Sequence, residues 1–370
     1  MNPVILASLA AMLFGAAAPA GKALLQSFGP FQLAGLLYLG AALAVAPGLV
    51  AGWRTGREAA PGPLKWHFTA ASFWKLTGAL VAGGIIAPVL LMVALRTASA
   101  ASVSIWLALE APLTAVLAWL LFREHIGKLG AISIAGTSIA ALILASGGGA
   151  SGPQAATLAA CACLGWALDN NLTSVVDGVS PAQITFWKGL VAGAINLTLG
   201  LILEGPLGAG QSGSVSLNVT MALVIGALAY GLSLILYIKS SQRLGAARSQ
   251  MIFASAPFWG IAWSFAALHE QISEVQGGAA ALLLVSLGLM IWEKHVHWHT
   301  HPALAHAHEH SHDDGHHDHT HEGDLTGQLY NSKHTHFHVH ERLVHSHPHW
   351  PDLHHRHSHD DEMESASDER

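Results

Sequence analysis

The sequence predicts an all-α integral membrane protein, with ten transmembrane helices as two inverted five-helix repeats and a disordered histidine-rich tail. Three observations carry that expectation. Ten apolar runs follow one another through residues 1–292, most of them near the ~20 residues that span the hydrocarbon core of a bilayer. A pattern from the first half returns roughly 150 positions later. The composition changes abruptly after residue 292.

The 370 residues are 52% hydrophobic and only 11% charged, and that average hides two different polymers. Residues 1–292 hold 12 Lys and Arg against 8 Asp and Glu, whereas residues 293–370 hold 5 against 15. The first part is too apolar and too charge-poor for a water-soluble domain. The second has too little apolar surface to offset its ordering entropy, so it is expected to be disordered without a ligand. Three segments follow: a first repeat over 1–146, a second over 147–292, and the tail over 293–370. The two cysteines, Cys161 and Cys163, lie on opposite sides of a helix; they can neither pair nor chelate one ion and are expected to be packing residues. The apolar stretch Ile5–Phe14 lacks a basic leader, so it is expected to remain as the first helix rather than act as a cleaved signal.

In order, the spans are expected near 3–20, 31–52, 73–95, 100–122, 127–146, 154–176, 181–204, 216–240, 245–268 and 273–292. Small residues such as Gly189 and Gly193 are spaced for close helix contact. Arg54, Arg57, Lys65, Lys75, Arg123, Lys128, Lys239, Arg243, Arg248 and Lys294 fall on one side if the spans alternate. The other side holds Lys22 and Arg96 with Glu204, Glu270 and Glu274. The positive-inside rule then places both termini, and the tail, in the cytoplasm.

The repeat is seen in two places. Phe14-Gly15 with Pro30-Phe31-Gln32 returns as Leu164-Gly165 with Pro181-Ala182-Gln183. Glu110-Ala-Pro112, ending in Phe122-Arg-Glu124-His-Ile126, returns as Ser255-Ala-Pro257, ending in Leu268-His-Glu270-Gln-Ile272. An odd number of spans per copy inverts the second copy in the membrane, the architecture of alternating-access carriers with a midplane site. On these residues, residues 1–292 resemble the EamA-type transporters of the drug/metabolite transporter superfamily. The resemblance implies a cytoplasmic-membrane carrier, mostly of exporter type for small organic solutes, with a cavity lined by both halves. It fixes no substrate.

Charges inside the spans mark candidate pathway residues, because a charge in lipid costs about 2.5–3.5 kcal/mol even on lenient scales. Asp169 and Lys188 lie eight residues before Asp177 and seven after Pro181, so both sit ~10–12 Å from one membrane face and are expected to form a facing pair. Such a pair either locks the hairpin or serves transport. Glu110, near the middle of the fourth span, has no basic residue at its depth in that helix. Burial then favours its neutral form, as expected of a proton-coupling group or of a structural acid bonded to a backbone carbonyl freed by Pro112. Asn170, Asn171 and Asn196 complete the densest polar set, suited to solute binding or to interhelical bonding. Glu124 and Glu270 are expected to cap or brace helices. Trp106, Trp119, Trp166, Trp187, Trp259 and Trp263 are candidates for the cavity wall or for packing and interfacial anchors.

The tail carries the most specific chemical signal. Of 26 histidines, 23 lie in residues 295–359. The H-x-H runs are His295, His297, His299 and His301; His306, His308, His310 and His312; His334, His336, His338 and His340; and His345, His347 and His349. His316, His317, His319, His321, His354, His355, His357 and His359 fill the intervals. Imidazoles without thiolates suit Zn, Ni, Co or Cu(II), with room for about five four-coordinate sites. The transmembrane body is expected to need no cofactor.

Three functions compete. One is an exporter of an organic metabolite whose tail senses or buffers metal. Another is an exporter of Zn, Ni or Co whose tail captures the ion; against it, His67, His125 and His269 lie outside the spans or at their ends. A third is a non-transporting membrane metal store or sensor. Nothing resembles a nucleotide-binding loop or hydrolytic triad, so no enzyme is expected. Expected partners are the lipid bilayer, a small solute and divalent metal ions, with a homodimer left open and no nucleic acid.

Overall fold

The computed structural model describes residues 2–55, 70–122, 128–146, 152–173, 181–208, 214–244, 252–292, 295–301, 304–310, 334–340 and 343–349. The described residues up to Trp292 form ten helical spans. They begin with Pro3–Gly15 continued by Ala17–Leu24, then Pro30–Thr55, then Ala70–Thr97 with a π-helical segment at Leu80–Ile86. Ala100–Leu107 with Glu110–Phe122 is the fourth, Lys128–Ser146 the fifth, Pro153–Thr173 the sixth and Pro181–Leu203 the seventh. Val215–Leu244, π-helical at Gly226–Leu232, Ala256–Leu268 and Glu274–Trp292 complete the set.

Seven of these are long and apolar enough to cross a membrane, and the ninth and tenth are shorter apolar helices. The sixth falls short of that measure because Gln154, Asp169, Asn170 and Asn171 dilute its apolar residues.

Five spans expected as continuous helices are broken or turn π-helical, and a proline accompanies four of these changes. A proline removes one donor and its ring clashes with the carbonyl four residues earlier. Pro19, Pro112 and Pro257 have such carbonyls at Gly15, Ala108 and Phe253, beside breaks at Ala16, at 108–109 and at 254–255. Pro88 acts on Gly84, inside the π-helical segment of the third span. The eighth span has a matching π-helical segment without a proline, bordered by Gly226 and containing Gly231.

Packing follows an internal two-fold pattern. The second span packs on the seventh, the fifth on the tenth and the fourth on the ninth. The first packs on the eighth as the sixth packs on the third, and the fourth meets the sixth as the ninth meets the first. Each relation survives exchange of the two halves, so the duplication seen in sequence is also a duplication of contacts. The seam between spans two and seven is glycine-lined: a Cβ on Gly189 would lie 2.8 Å from Tyr38 O, and one on Gly193 2.9 Å from Leu39 N. The small-residue spacing is therefore a contact between repeats.

The tail adds extended backbone that the expectation of disorder did not include. β1 (His295–His301) pairs antiparallel with β4 (Leu343–His349), and β2 (Leu304–His310) with β3 (His334–His340). Among the described residues, the helices lie up to Trp292 and the strands in the tail.

Candidate functional site

The polar residues of the membrane body gather where spans three, four, six and seven meet. Lys188 Nζ donates to Asp169 Oδ2, forming the ion pair that the depth argument expects. The two partners are not equally shielded: the Asp169 side chain is 4% exposed and that of Lys188 25%. Gly83 lies against the carboxylate, so a Cβ there would collide with Asp169. The π-helical turn thus presents a backbone without a side chain to the acid, and its loosened carbonyls take donors from three other spans. Tyr38 Oη donates to Gly83 O (2.7 Å) and Trp166 Nε1 to the same oxygen (3.0 Å). Asn196 Nδ2 donates to Gly84 O (3.2 Å), the carbonyl displaced by Pro88.

Glu110 begins the second half of the broken fourth span, its carboxyl in the first helical turn. Asn170 Nδ2 donates to Glu110 Oε1 at 2.9 Å. Asn170 is exposed and Glu110 half-buried, and polar groups so placed in a span are costly against lipid and favour water or solute. Asn171 is buried instead, with Nδ2 on Thr114 O (3.1 Å) and Ala167 O (2.8 Å), tying span six to span four. Asn171 and Asn196 are thus interhelical bonds, whereas Glu110, Asn170 and Lys188 keep some exposure and Asp169 is buried behind Lys188. Two buried acceptors, Asp169 Oδ1 and Asn196 Oδ1, find no donor among the described residues.

The tryptophans divide. Trp166 joins the site. Trp106 is fully buried and donates to Ala141 O (3.2 Å), so it packs span four on span five. Trp119 is exposed on the outside of the bundle. Trp263 Nε1 donates to Met12 O (3.2 Å), bracing the first span. Of the cysteines, Cys161 is exposed and Cys163 buried with Sγ on Trp106 O (3.5 Å), as opposite helix faces require.

Glu270 caps a helix as expected, accepting from Ala100 N (2.9 Å) and Ala101 N (3.0 Å) at the start of the fourth span. His269, in the left-handed conformation at φ 54°, ends the ninth helix and turns the chain toward this contact. The sequence argument missed two equivalents. Glu204 accepts from Phe31 N (3.1 Å) and Gln32 N (3.0 Å). Lys22 Nζ donates to Leu95 O (2.6 Å) and Ala98 O (2.9 Å). The available signal was their isolation, since each is a charge at a span end on the charge-poor side. Asp177, Arg57, Lys65, His67, Arg123, Glu124, His125, Arg248 and Lys294 lie outside the described residues. So do His312, His316, His317, His319, His321, His354, His355, His357 and His359.

Among the described residues, ten helical spans packed as two equivalent halves, with paired breaks and a polar cluster inside the bundle, define an inverted-repeat membrane protein of the carrier class. The chain belongs to the EamA-like transporter family, whose model matches residues 1–146 and 154–292. It is a multi-pass membrane transporter of the drug/metabolite type. Fifteen chains of solved structure match it. One, titled "Crystal structure of protein", is 18% identical, covers 78% of this chain and 96% of its own, and has a TM-score of 0.50. That likeness concerns the fold alone. No protein of curated function matches the sequence.

Proposed function

We propose that the protein is an alternating-access exporter of a small polar organic metabolite, seated in the cell membrane with both termini cytoplasmic, and that its tail binds divalent transition metal as a sensor or buffer. The observation that carries the solute reading is the chemistry of the polar group inside the bundle: carboxylates, an amide and an ammonium, with Asp169 Oδ1 finding no donor among the described residues. Buried acceptors are almost always satisfied, and a solute amino or hydroxyl group supplies such a donor. Glu110 beside Asn170 is the proton-coupling carboxyl in this reading, and the Asp169–Lys188 pair orients the solute. Within the helices whose side chains are described, no three His, Cys, Asp or Glu residues converge as metal ligands would. Zinc, nickel or copper transport would draw on imidazole or thiolate, so the metal-exporter reading has less support.

Purified protein in proteoliposomes, offered amino-bearing metabolites and metal ions separately under an imposed pH gradient, tests the assignment. Gradient-dependent uptake of an organic solute without metal flux is the expected result. Saturable metal flux through a chain ending at Trp292 would overturn it.

A further inference from the structure

The tail strands hold a pattern that the ten helices do not use. In the β1–β4 ladder the register partners are His295 with His349, His297 with His347 and His299 with His345. In the β2–β3 ladder they are His306 with His338, His308 with His336 and His310 with His334. The remaining histidine of each ladder, His301 or His340, has a leucine opposite, Leu343 or Leu304. A slip of one residue would set every paired histidine against a different residue type, such as Val344, Ser346 or Pro348. The pairing of histidine with histidine is thus a property of this register.

Alternation places the histidines of one ladder on a single face of it. The alternate positions are Val296, Trp298, Thr300, Val344, Ser346 and Pro348 in the first ladder, and Ala305, Ala307, Glu309, Thr335, Phe337 and Val339 in the second. The two ladders share one register, because the step from His301 to Leu304 on one arm equals the step from His340 to Leu343 on the other. Across that interval the paired histidines pass from odd to even positions on both arms. The change occurs twice, once per arm, and keeps histidine opposite histidine on both sides of it. It also separates the paired histidines into two sets.

Cross-strand partners have Cα atoms about 4.5–5.5 Å apart, and positions two apart along a strand are separated by about 6.5–7 Å. Two adjacent cross-strand pairs therefore bring four imidazole-bearing positions into one patch, the ligand number of a tetrahedral ion. An isolated two-stranded ribbon is only marginally stable in water, and protonated histidines directly opposite one another repel. Metal supplies a cross-link between the arms and selects the neutral imidazole. We infer that each ladder is a separate site for one divalent transition-metal ion, held by two adjacent cross-strand histidine pairs, and that metal closes the two arms into a register-fixed hairpin. The inference rests on the tail binding metal; it adds where the ions sit and what they do to the chain.

The full-length protein in detergent, titrated with Zn²⁺ alone and with Ni²⁺ alone, is compared with a variant in which one arm is shifted. Val344→His, His345→Val, Ser346→His, His347→Ser, Pro348→His and His349→Pro preserve composition and H-x-H spacing but move the β4 histidines out of register. The expected result is loss of about one tight equivalent, or at least ten-fold weaker binding at it, while the β2–β3 site is kept. Nitroxide labels on Thr300→Cys and Val344→Cys, in a Cys161→Ala/Cys163→Ala background, should give one short, narrow distance with Zn²⁺ and a broad distribution without it. If the shifted arm binds as tightly as the native one, or the distance stays broad while metal binds, the paired sites are wrong and metal binding by the tail still stands. If the native chain binds neither ion, both readings fall.

Discussion

The proline breaks in spans four and nine are alike in backbone and different in chemistry. Both follow from the same proline, both stop the helix within four residues before it, and both sit between packed halves. Yet the residue two before the proline is Glu110 in the first copy and Ser255 in the second. Glu110 reaches across to Asn170 on another span, while Ser255 Oγ returns to Ile252 O at 2.7 Å on its own. The ion pair is lopsided in the same way. By the spacing of the repeated motifs, Asp169 and Lys188 correspond to Pro19 and Leu37, both buried and uncharged. Duplication therefore accounts for the scaffold, and the site arises where one copy departs from the other.

If that asymmetry carries the function, Lys188→Met should have the largest effect. It leaves Asp169 buried and charged with no counter-ion, a loss of about 3–5 kcal/mol for breaking a buried pair. Asp169→Asn should cost less, because Lys188 retains partial exposure. The double variant should melt closer to wild type than Lys188→Met does, yet remain inactive if the pair contacts the solute. Thermal melting in detergent alongside solute exchange separates these outcomes, and a fully active double variant would reduce the pair to a hairpin lock.

Next comes the comparison of the two breaks themselves. Glu110→Gln keeps the bond geometry to Asn170 but cannot exchange a proton. It should abolish accumulation driven by a pH gradient while leaving solute counterflow within about two-fold, since general proton transfer groups act only where protonation changes. Ser255→Ala should leave both unchanged. Equal effects at the two positions would mean that the breaks matter as backbone and not as chemistry.

Much of this could be read from the residues, and the exceptions have physical causes. The ten spans and the inverted copies follow from hydropathy and repeated motifs, which report composition directly. The Asp169–Lys188 pair was readable because depth in a helical hairpin is set by residue count alone. The π-helical segment of the third span was not, since it depends on Pro88 acting together with donors from Tyr38, Trp166 and Asn196 on distant spans. The roles of the asparagines were also hidden. Asn170 and Asn171 are neighbours in sequence, but a rotation of about 100° sends one to an open carboxyl and the other to buried carbonyls.

The carboxylate caps should show a smaller effect. Glu204 and Glu270, both from the second half, each accept from two N–H groups on a helix of the first half. Glu204→Gln or Glu270→Gln removes a charge-assisted contact and should lower stability by about 1–2 kcal/mol. Each also ties the halves together on the charge-poor side. The rate of exchange between membrane faces should therefore change more than solute affinity. Initial rates against equilibrium binding would show whether the caps are only structural.

The tail should have the least effect on the fold and the most specific effect on metal response. Among the described residues the helices pack on one another: the tenth span, ending at Trp292, packs on the fifth and fourth. A chain truncated after Trp292 should thus insert, remain monodisperse and melt within about 0.5 kcal/mol of the full protein, the range of changes made away from packed features. The full chain should bind Zn²⁺ or Ni²⁺ at about pH 7.5 and release it near pH 5.5. The ligand is neutral imidazole with an ordinary pKa of about 6.5, and protons displace the metal as pH falls through that value. Solute transport by the full chain should then respond to metal at the higher pH only, and transport by the truncated chain at neither. A metal response that survives truncation would move the sensing site into the membrane body, where the Asp169, Glu110 and Lys188 group would have to supply it.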